Sequence, residues 1–281
     1  MKKEFNINQF AVFILTHGRP NKDTTYQKLR GGGYTGRIIL ILDNQDDKYE
    51  EYVEKYGKEN IYVFDKEAMA EKVDSLNNFK QRNGILFARQ ASFDAARYFG
   101  YKYFCQMDDD YYYFGHKRIN GGKKTTNLDY VFKCFVEFLI NTPTTSIAFS
   151  QGGDHIGGYD ESVILKRKCM NSWFCKTDEP FAFYGILNDD VNAYLRNGML
   201  GKLFFTFMPF KLDQDDTQSN EGGITTMYND EGTYMKSFYS VMLCPSCVKV
   251  KQMGWKSMRM HHNISWKNAV PCIINEKYKK V

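Results

Sequence analysis

The chain has 281 residues, of which 43% are hydrophobic, 25% charged and only 6 proline, a balance that excludes disordered, collagen-like and low-complexity chains and leaves room for a sizeable core. Its formal net charge of +5 permits a polyanionic partner without demanding one. No apolar run approaches the roughly 18 residues of a membrane helix and Met1 to Phe10 carries no apolar signal region, so a soluble cytoplasmic protein without a membrane partner is expected.

Phe10 to Leu15 is a short apolar run that reads as a buried strand and breaks at Thr16-His17-Gly18-Arg19-Pro20. A polar helix follows over Lys22 to Arg30, stopped by Gly31-Gly32-Gly33. Arg37 to Leu42 is a second buried strand, closed by Asp43-Asn44 and followed by an acidic helix through Tyr56. Ile61 to Phe64 is a third strand. A longer helix runs from Asn83 or Gly84 to Phe99, with Ile85, Ala88, Phe93 and Ala96 recurring at helical spacing. Tyr101 to Met107 is a fourth strand and leads directly into Asp108-Asp109-Asp110.

Leu128 to Ile140 reads as a helix with an apolar face, and Ser146 to Ser150 as a strand leading into Gln151, Asp154, His155 and the glycines Gly157-Gly158. Beyond it Phe181 to Leu187 is strand-like, Leu187 to Arg196 a helix, Leu203 to Met208 a strand and Leu212 to Gly223 a polar loop, while Gly232 to Leu243 fits either helix or strand. This alternation predicts an α/β fold, an open, mostly parallel twisted sheet flanked by helices, in one continuous domain. Ligands of such sheets bind beyond the carboxyl ends of strands. The polar ends Thr16 to Arg19, Asp43-Asn44 and Asp108 to Asp110 are expected to converge on one crevice.

Three consecutive aspartates are costly, because close carboxylates raise each other's pKa unless a cation neutralises them. Alternate residues of an extended segment point the same way, so Asp108 and Asp110 are candidates to share one divalent ion while Asp109 faces elsewhere. Oxygen donors suit Mg²⁺ or Mn²⁺, which keep waters and bind substrate phosphates. A solvated acidic turn is the competing reading. The 7 cysteines suit buried thiols; a zinc site from Cys169, Cys175, Cys244 and Cys247 is disfavoured by irregular spacing.

A strand that ends in Asp-x-Asp late in an alternating sheet resembles the metal-binding motif of glycosyltransferases with the GT-A fold. The closer resemblance is to the TET-associated glycosyltransferases of phage genomes. It is carried by Phe13 to Pro20 (FILTHGRP), Gln106 to Asp110 (QMDDD), Ser150 to Gly158 (SQGGDHIGG), Gly232 to Ser237, and His261-His262 followed by Trp266 and Pro271. It implies transfer of a sugar from a nucleotide donor, expected to be UDP-linked, to a hydroxymethylated pyrimidine in DNA, in host cytoplasm. It divides the domain into a nucleotide-sugar half over 1–115 and an acceptor half over 116–281. It sets Thr16, His17, Gly18, Arg19 and Asp43 against the nucleoside, Asp108 and Asp109 near the donor, and His262 on the metal with Asp108 and Asp110. A glycan, lipid or protein acceptor is the nearest alternative, and a metal-dependent nuclease or phosphotransferase a more distant one.

Transfer also requires cations for the leaving diphosphate, for which Arg82 and Arg89 join Arg19, since guanidinium matches phosphate bidentately. A group must take the acceptor's hydroxyl proton, and Asp189-Asp190, opening a helix, are the first candidates, with Asp154 and Asp216 as rivals. Helix capping is the competing role for Asp189-Asp190. Tyr111 to Arg118, and Lys166-Arg167-Lys168 with Trp173 and Phe174, interleave rings with charge as base-stacking surfaces do; a solvated face over core aromatics is the alternative.

Overall fold

The structure, a computed structural model, describes residues 4–77, 82–117, 122–155, 160, 162–214, 232, 234–254, 258–270 and 276. Asp216, Gly157-Gly158, Arg118, Pro271 and most of the polar loop to Gly223 lie outside the described residues.

The first strand sets the layers. All six residues of β1 (Phe10–Leu15) are buried, and alternate side chains enter opposite cores: Ala11, Phe13 and Leu15 one, Phe10, Val12 and Ile14 the other. A strand with two covered faces needs this continuous apolar run. Beside it lie β2 (Arg37–Asp43), β3 (Ile61–Phe64) and β4 (Tyr103–Asp108), all parallel, in the order β3-β2-β1-β4. The first core is closed by α4 (Leu86–Phe99), and the second by α5 (Leu128–Asn141), α2 (Tyr49–Tyr56) and α1 (Thr24–Gly31). A short helix, α3 (Lys66–Lys72), follows β3, with Asp65 accepting from the Ala68 amide at 2.9 Å as its cap.

Past β4 the ten-stranded sheet continues through β9 (Trp173–Lys176), β7 (Ser146–Ser150), β10 (Phe204–Gln214), β5 (Tyr111–His116) and β6 (Lys123–Lys124), with β8 (Leu165–Lys166) paired to β10. Strands β1, β2, β3, β4, β7, β10 and β6 point one way, and β9, β5 and β8 run against them. The fold is therefore α/β with a large, mostly parallel sheet. A hairpin of β11 (Val248–Met253) and β12 (Arg259–Ile264) stands apart from this sheet.

Several expectations change. The strand-like Phe181 to Leu187 forms no strand; its apolar residues fill the core beside α4 and Trp173 instead. Gly232 to Leu243 resolves as a helix over Met235–Leu243, and Leu212 to Gln214 extend β10 rather than opening a loop. The second ring-and-charge patch is overturned, because Trp173 and Phe174 are fully buried in β9, and in the first patch β5, whose pairing with β10 shifts register at Tyr111 to Tyr113, buries Tyr111 and Phe114 while Tyr112 stays 47% exposed. Phe174 stacks on Phe10 with centroids 6.0 Å apart.

Candidate functional site

The carboxyl ends of β1, β2 and β4 meet at one edge. The Thr16 hydroxyl, just past β1, donates to Asp109 Oδ2 at 2.7 Å and lies 3.1 Å from the Tyr52 hydroxyl. Arg19 closes the same corner: its amide donates to Tyr52 at 2.8 Å and its guanidinium pairs with Asp109 Oδ1 at 3.1 Å. Gly18 makes the turn with φ of +66°, which a side chain resists, and its amide donates to Asp46 Oδ2 at 2.8 Å. His17 Nδ1 lies 2.8 Å from Asp43 Oδ2, and Lys66 Nζ is 3.4 Å from Asp43 Oδ1. The hydrogen bond to Asp43 raises the His17 pKa. Burial pushes the Asp43 carboxyl up, but His17 and Lys66 outweigh it and hold the group below its usual range. A small cleft lies beside Thr16 and Asp109, lined by Lys22, Asp23, Tyr26, Tyr52 and Tyr56.

At the end of β4 the chain turns instead of staying extended, and the Thr25 hydroxyl ties the turn down by donating to the Asp108 carbonyl at 2.7 Å. The three aspartates thereby take different surroundings. Asp109 is buried toward Thr16 and Arg19, whereas Asp108 Oδ1 accepts from Arg89 at 3.2 Å. All three are held above the usual carboxylate range, chiefly by burial. For Asp110 burial acts first and the charges of Asp108 and Asp109 add to it, reaching about 7.

Arg89 joins this edge to the second half of the chain. It is 2% exposed on α4, and its Nε donates to Asp189 Oδ2 at 2.8 Å while Nη2 reaches Asp108. Asp189 opens α6 (Asp189–Met199), but neither it nor Asp190 caps the helix; the N-cap is Asn188, in the left-handed region at φ of +61°. Asp189 serves Arg89, and Asp190 Oδ1 accepts from the Val191 amide at 2.7 Å. Burial raises the pKa of both, to about 7 for Asp189.

The other predicted residues separate. Asp154 pairs with Lys168 and, at 3.5 Å, with Lys166, and its Oδ2 accepts from the Gln151 amide. Arg82 Nε lies 3.6 Å from Glu67 Oε2. His262, on β12, has its Nδ1 3.1 Å from Asn188 Nδ2. Burial lowers the His262 pKa to about 3, with His261, Lys236 and Lys168 acting in the same direction. Cys169 lies 3.4 Å from Ser146, and Cys244 and Cys247 lie together. Among the described residues no three His, Cys, Asp or Glu side chains gather as a metal site, and no helix is long and apolar enough to cross a membrane.

Tyr52, Asp46, Lys66, Thr25 and Asn188 escape the sequence reading. Each lies far along the chain from its partner, and local pattern carries no signal of such pairing. Asp46 had one weak signal, its place in the polar run after β2.

Sheet order and a polar edge at the strand ends give the chain the GT-A fold. Glucosyl-3-phosphoglycerate synthase from Mycobacterium tuberculosis, solved with Mn²⁺, uridine diphosphate and phosphoglyceric acid, aligns over 94% of this chain and 88% of its own, with TM-score 0.51 and 8% identity. The same enzyme solved with Mn²⁺ and UDP-glucose aligns over 93% and 92%, again with TM-score 0.51 and 8% identity. The chain belongs to the TET-Associated Glycosyltransferase family, whose pattern matches residues 10–223. No curated protein sequence matches it.

Proposed function

We propose that the protein transfers a sugar from a UDP-sugar to the hydroxymethyl oxygen of a modified pyrimidine in DNA, with 1–115 forming the donor half and 116–281 the acceptor half of one domain. The observation that carries this reading is the Arg89 bridge, which unites Asp108 of the donor edge with Asp189 of α6 in one buried constellation. The acceptor follows from the TET association of the family, since a TET-type oxygenase leaves the hydroxymethyl nucleophile that such a transferase needs. The donor follows from the uridine diphosphate held by similarly folded proteins.

A divalent cation fits the donor edge. Asp108 and Asp110 are hard oxygen donors; Asp108 is shared with Arg89, and Asp110, raised first by burial and then by the charges of Asp108 and Asp109, is the group a cation would relieve most. Mg²⁺ and Mn²⁺ are commonly held by one or two carboxylates plus substrate phosphates, so a third protein ligand is not required. When bound, the ion offsets the charge that develops on the leaving diphosphate.

The chain's own residues do the rest. Thr16, His17, Gly18 and Arg19 with Asp43 form the nucleoside corner, Asp109 fixes Thr16 and Arg19 there, and Arg82, 3.6 Å from Glu67, is the further candidate cation for phosphate. Arg89 holds Asp108 and Asp189 in place. Asp190 is the general base: its Oδ1 is engaged by Val191, while Asp189 is engaged by Arg89 and Asp154 by Lys168. Burial raises its pKa, which strengthens the carboxylate as a proton acceptor. The acceptor oxygen bonds to the anomeric carbon, the carbon–oxygen bond to the diphosphate breaks, and the proton passes to Asp190. Mn²⁺ with a panel of nucleotide sugars tests the donor reading: thermal stabilisation by a UDP-sugar is expected, and Asp110→Ala should abolish the metal-dependent part without unfolding the chain. Unchanged donor affinity in that variant would remove the metal from the site.

A further inference from the structure

His262 belongs to a chain of hydrogen bonds whose direction is set at its far end. Asn192, fully buried on α6, has its Nδ2 3.0 Å from the Tyr184 carbonyl and 3.2 Å from the Leu187 carbonyl. Carbonyl oxygens only accept, so the amide nitrogen must face them and Oδ1 must face away. Ser240 Oγ, also fully buried, is 2.7 Å from Asn192 Oδ1, which takes its single proton. The same hydroxyl lies 2.7 Å from Asn188 and has only acceptance left to offer, so Asn188 presents Nδ2. The second proton of that Nδ2 is directed at His262 Nδ1, 3.1 Å away, which must carry a lone pair. A neutral imidazole with a lone pair on Nδ1 carries its proton on Nε2.

We infer that His262 is held as the Nε2–H tautomer and donates through Nε2 to a phosphate oxygen instead of ligating the metal. Coordination through Nε2 would move the proton to Nδ1 and set it against the Asn188 amide, donor against donor. Among the described residues no side chain bonds Nε2. The surroundings select an anion, since the ammonium groups of Lys236 and Lys168 act on this imidazole and also on Asp190. An N–H donor in the field of these cations suits phosphate, either the donor's diphosphate or the phosphodiester of an acceptor strand. The tautomer stands independently of the proposed reaction, whereas the phosphate role rests on it.

Three measurements test this on the full chain. Nitrogen NMR of labelled imidazoles in metal-free protein, with His262 assigned by its absence in His262→Gln, should show a protonated Nε2 and a bare Nδ1; a protonated Nδ1 would overturn the assignment. Mn²⁺ affinity by electron paramagnetic resonance should stay within about twofold in His262→Gln and fall at least about tenfold in Asp110→Ala; equal losses would make His262 a ligand. UDP under chelation and an unmodified oligonucleotide are the two phosphate probes. His262→Ala should weaken one of them about tenfold, while His262→Gln, which keeps an acceptor and an N–H, stays within about threefold. Loss for UDP assigns the diphosphate and loss for the oligonucleotide the phosphodiester, and no loss for either overturns the phosphate role. If His262→Ala does not fold, the wild-type NMR and His262→Gln still decide. Failure of the wild type to bind either probe counts against the proposed function, not against the tautomer.

Discussion

Arg89 is the counter-charge for a buried carboxylate, Asp189, and a half-buried one, Asp108, so its loss strands both. Arg89→Met should cost about 3 to 5 kcal/mol in urea unfolding, because breaking a buried pair from one side leaves an uncompensated charge. A cost near zero would mean that Asp108 and Asp189 are solvated. Asp190→Asn tests catalysis separately: transfer should fall by about 10² to 10⁴ while UDP affinity is kept. For Asp110 the sign of the pH effect follows from its raised pKa of about 7, against an unfolded value of 3.8. Between those values the folded chain binds the extra proton, so this contribution is complete at low pH and is lost as pH rises through about 7. In chelator, the melting temperature of Asp110→Asn should therefore vary less than wild type between about pH 5 and about pH 8. Of these residues, Asp108 to Asp110 and Asp189-Asp190 were legible because carboxylates following apolar runs are chemically conspicuous. The Arg89 bridge was not: its two partners lie 19 and 100 residues away, and only the fold unites them.

Gly185 shows how the turn before α6 is built. Its φ is +77°, and a Cβ there would stand 2.6 Å from Asn192 Nδ2, the anchor of the hydrogen-bond chain that reaches His262. Gly185→Ala should cost at least about 1 to 2 kcal/mol from the left-handed backbone alone, read as a lower urea midpoint, and unchanged stability would argue against this turn. Elements whose pattern is local were read well. Ile61 to Phe64 and Ser146 to Ser150 match their strands end to end, since a short apolar run bounded by polar residues is a signal carried within the run itself. The misses share a cause. Strand β9 is four residues long and gains its pairing from β4 and β7, remote in sequence, while β11 and β12 are too polar to announce themselves. Phe181 to Leu187 has strand composition without a free edge to join.

Across the whole molecule the aromatic 16% proves to be mainly structural. Phe132, Phe135, Phe149 and Phe174 pack against one another between α5 and the sheet, leaving Tyr112 as the exposed ring of its segment's stacking candidates. Charge is a better guide to the acceptor. Lys166 and Lys168 pair with Asp154, and the charges of Lys168 and Lys236 act on Asp190, cations that under the proposed function would face the phosphates of the acceptor strand. The central claim is the transfer itself, and mass spectrometry of DNA nucleosides after incubation with Mn²⁺ and UDP-sugars measures it directly. Oligonucleotides carrying hydroxymethylcytosine or hydroxymethyluracil should gain the mass of one sugar residue per modified base, and unhydroxylated controls should gain none. Unmodified DNA alongside full consumption of the donor on a glycan, lipid or protein acceptor would contradict it.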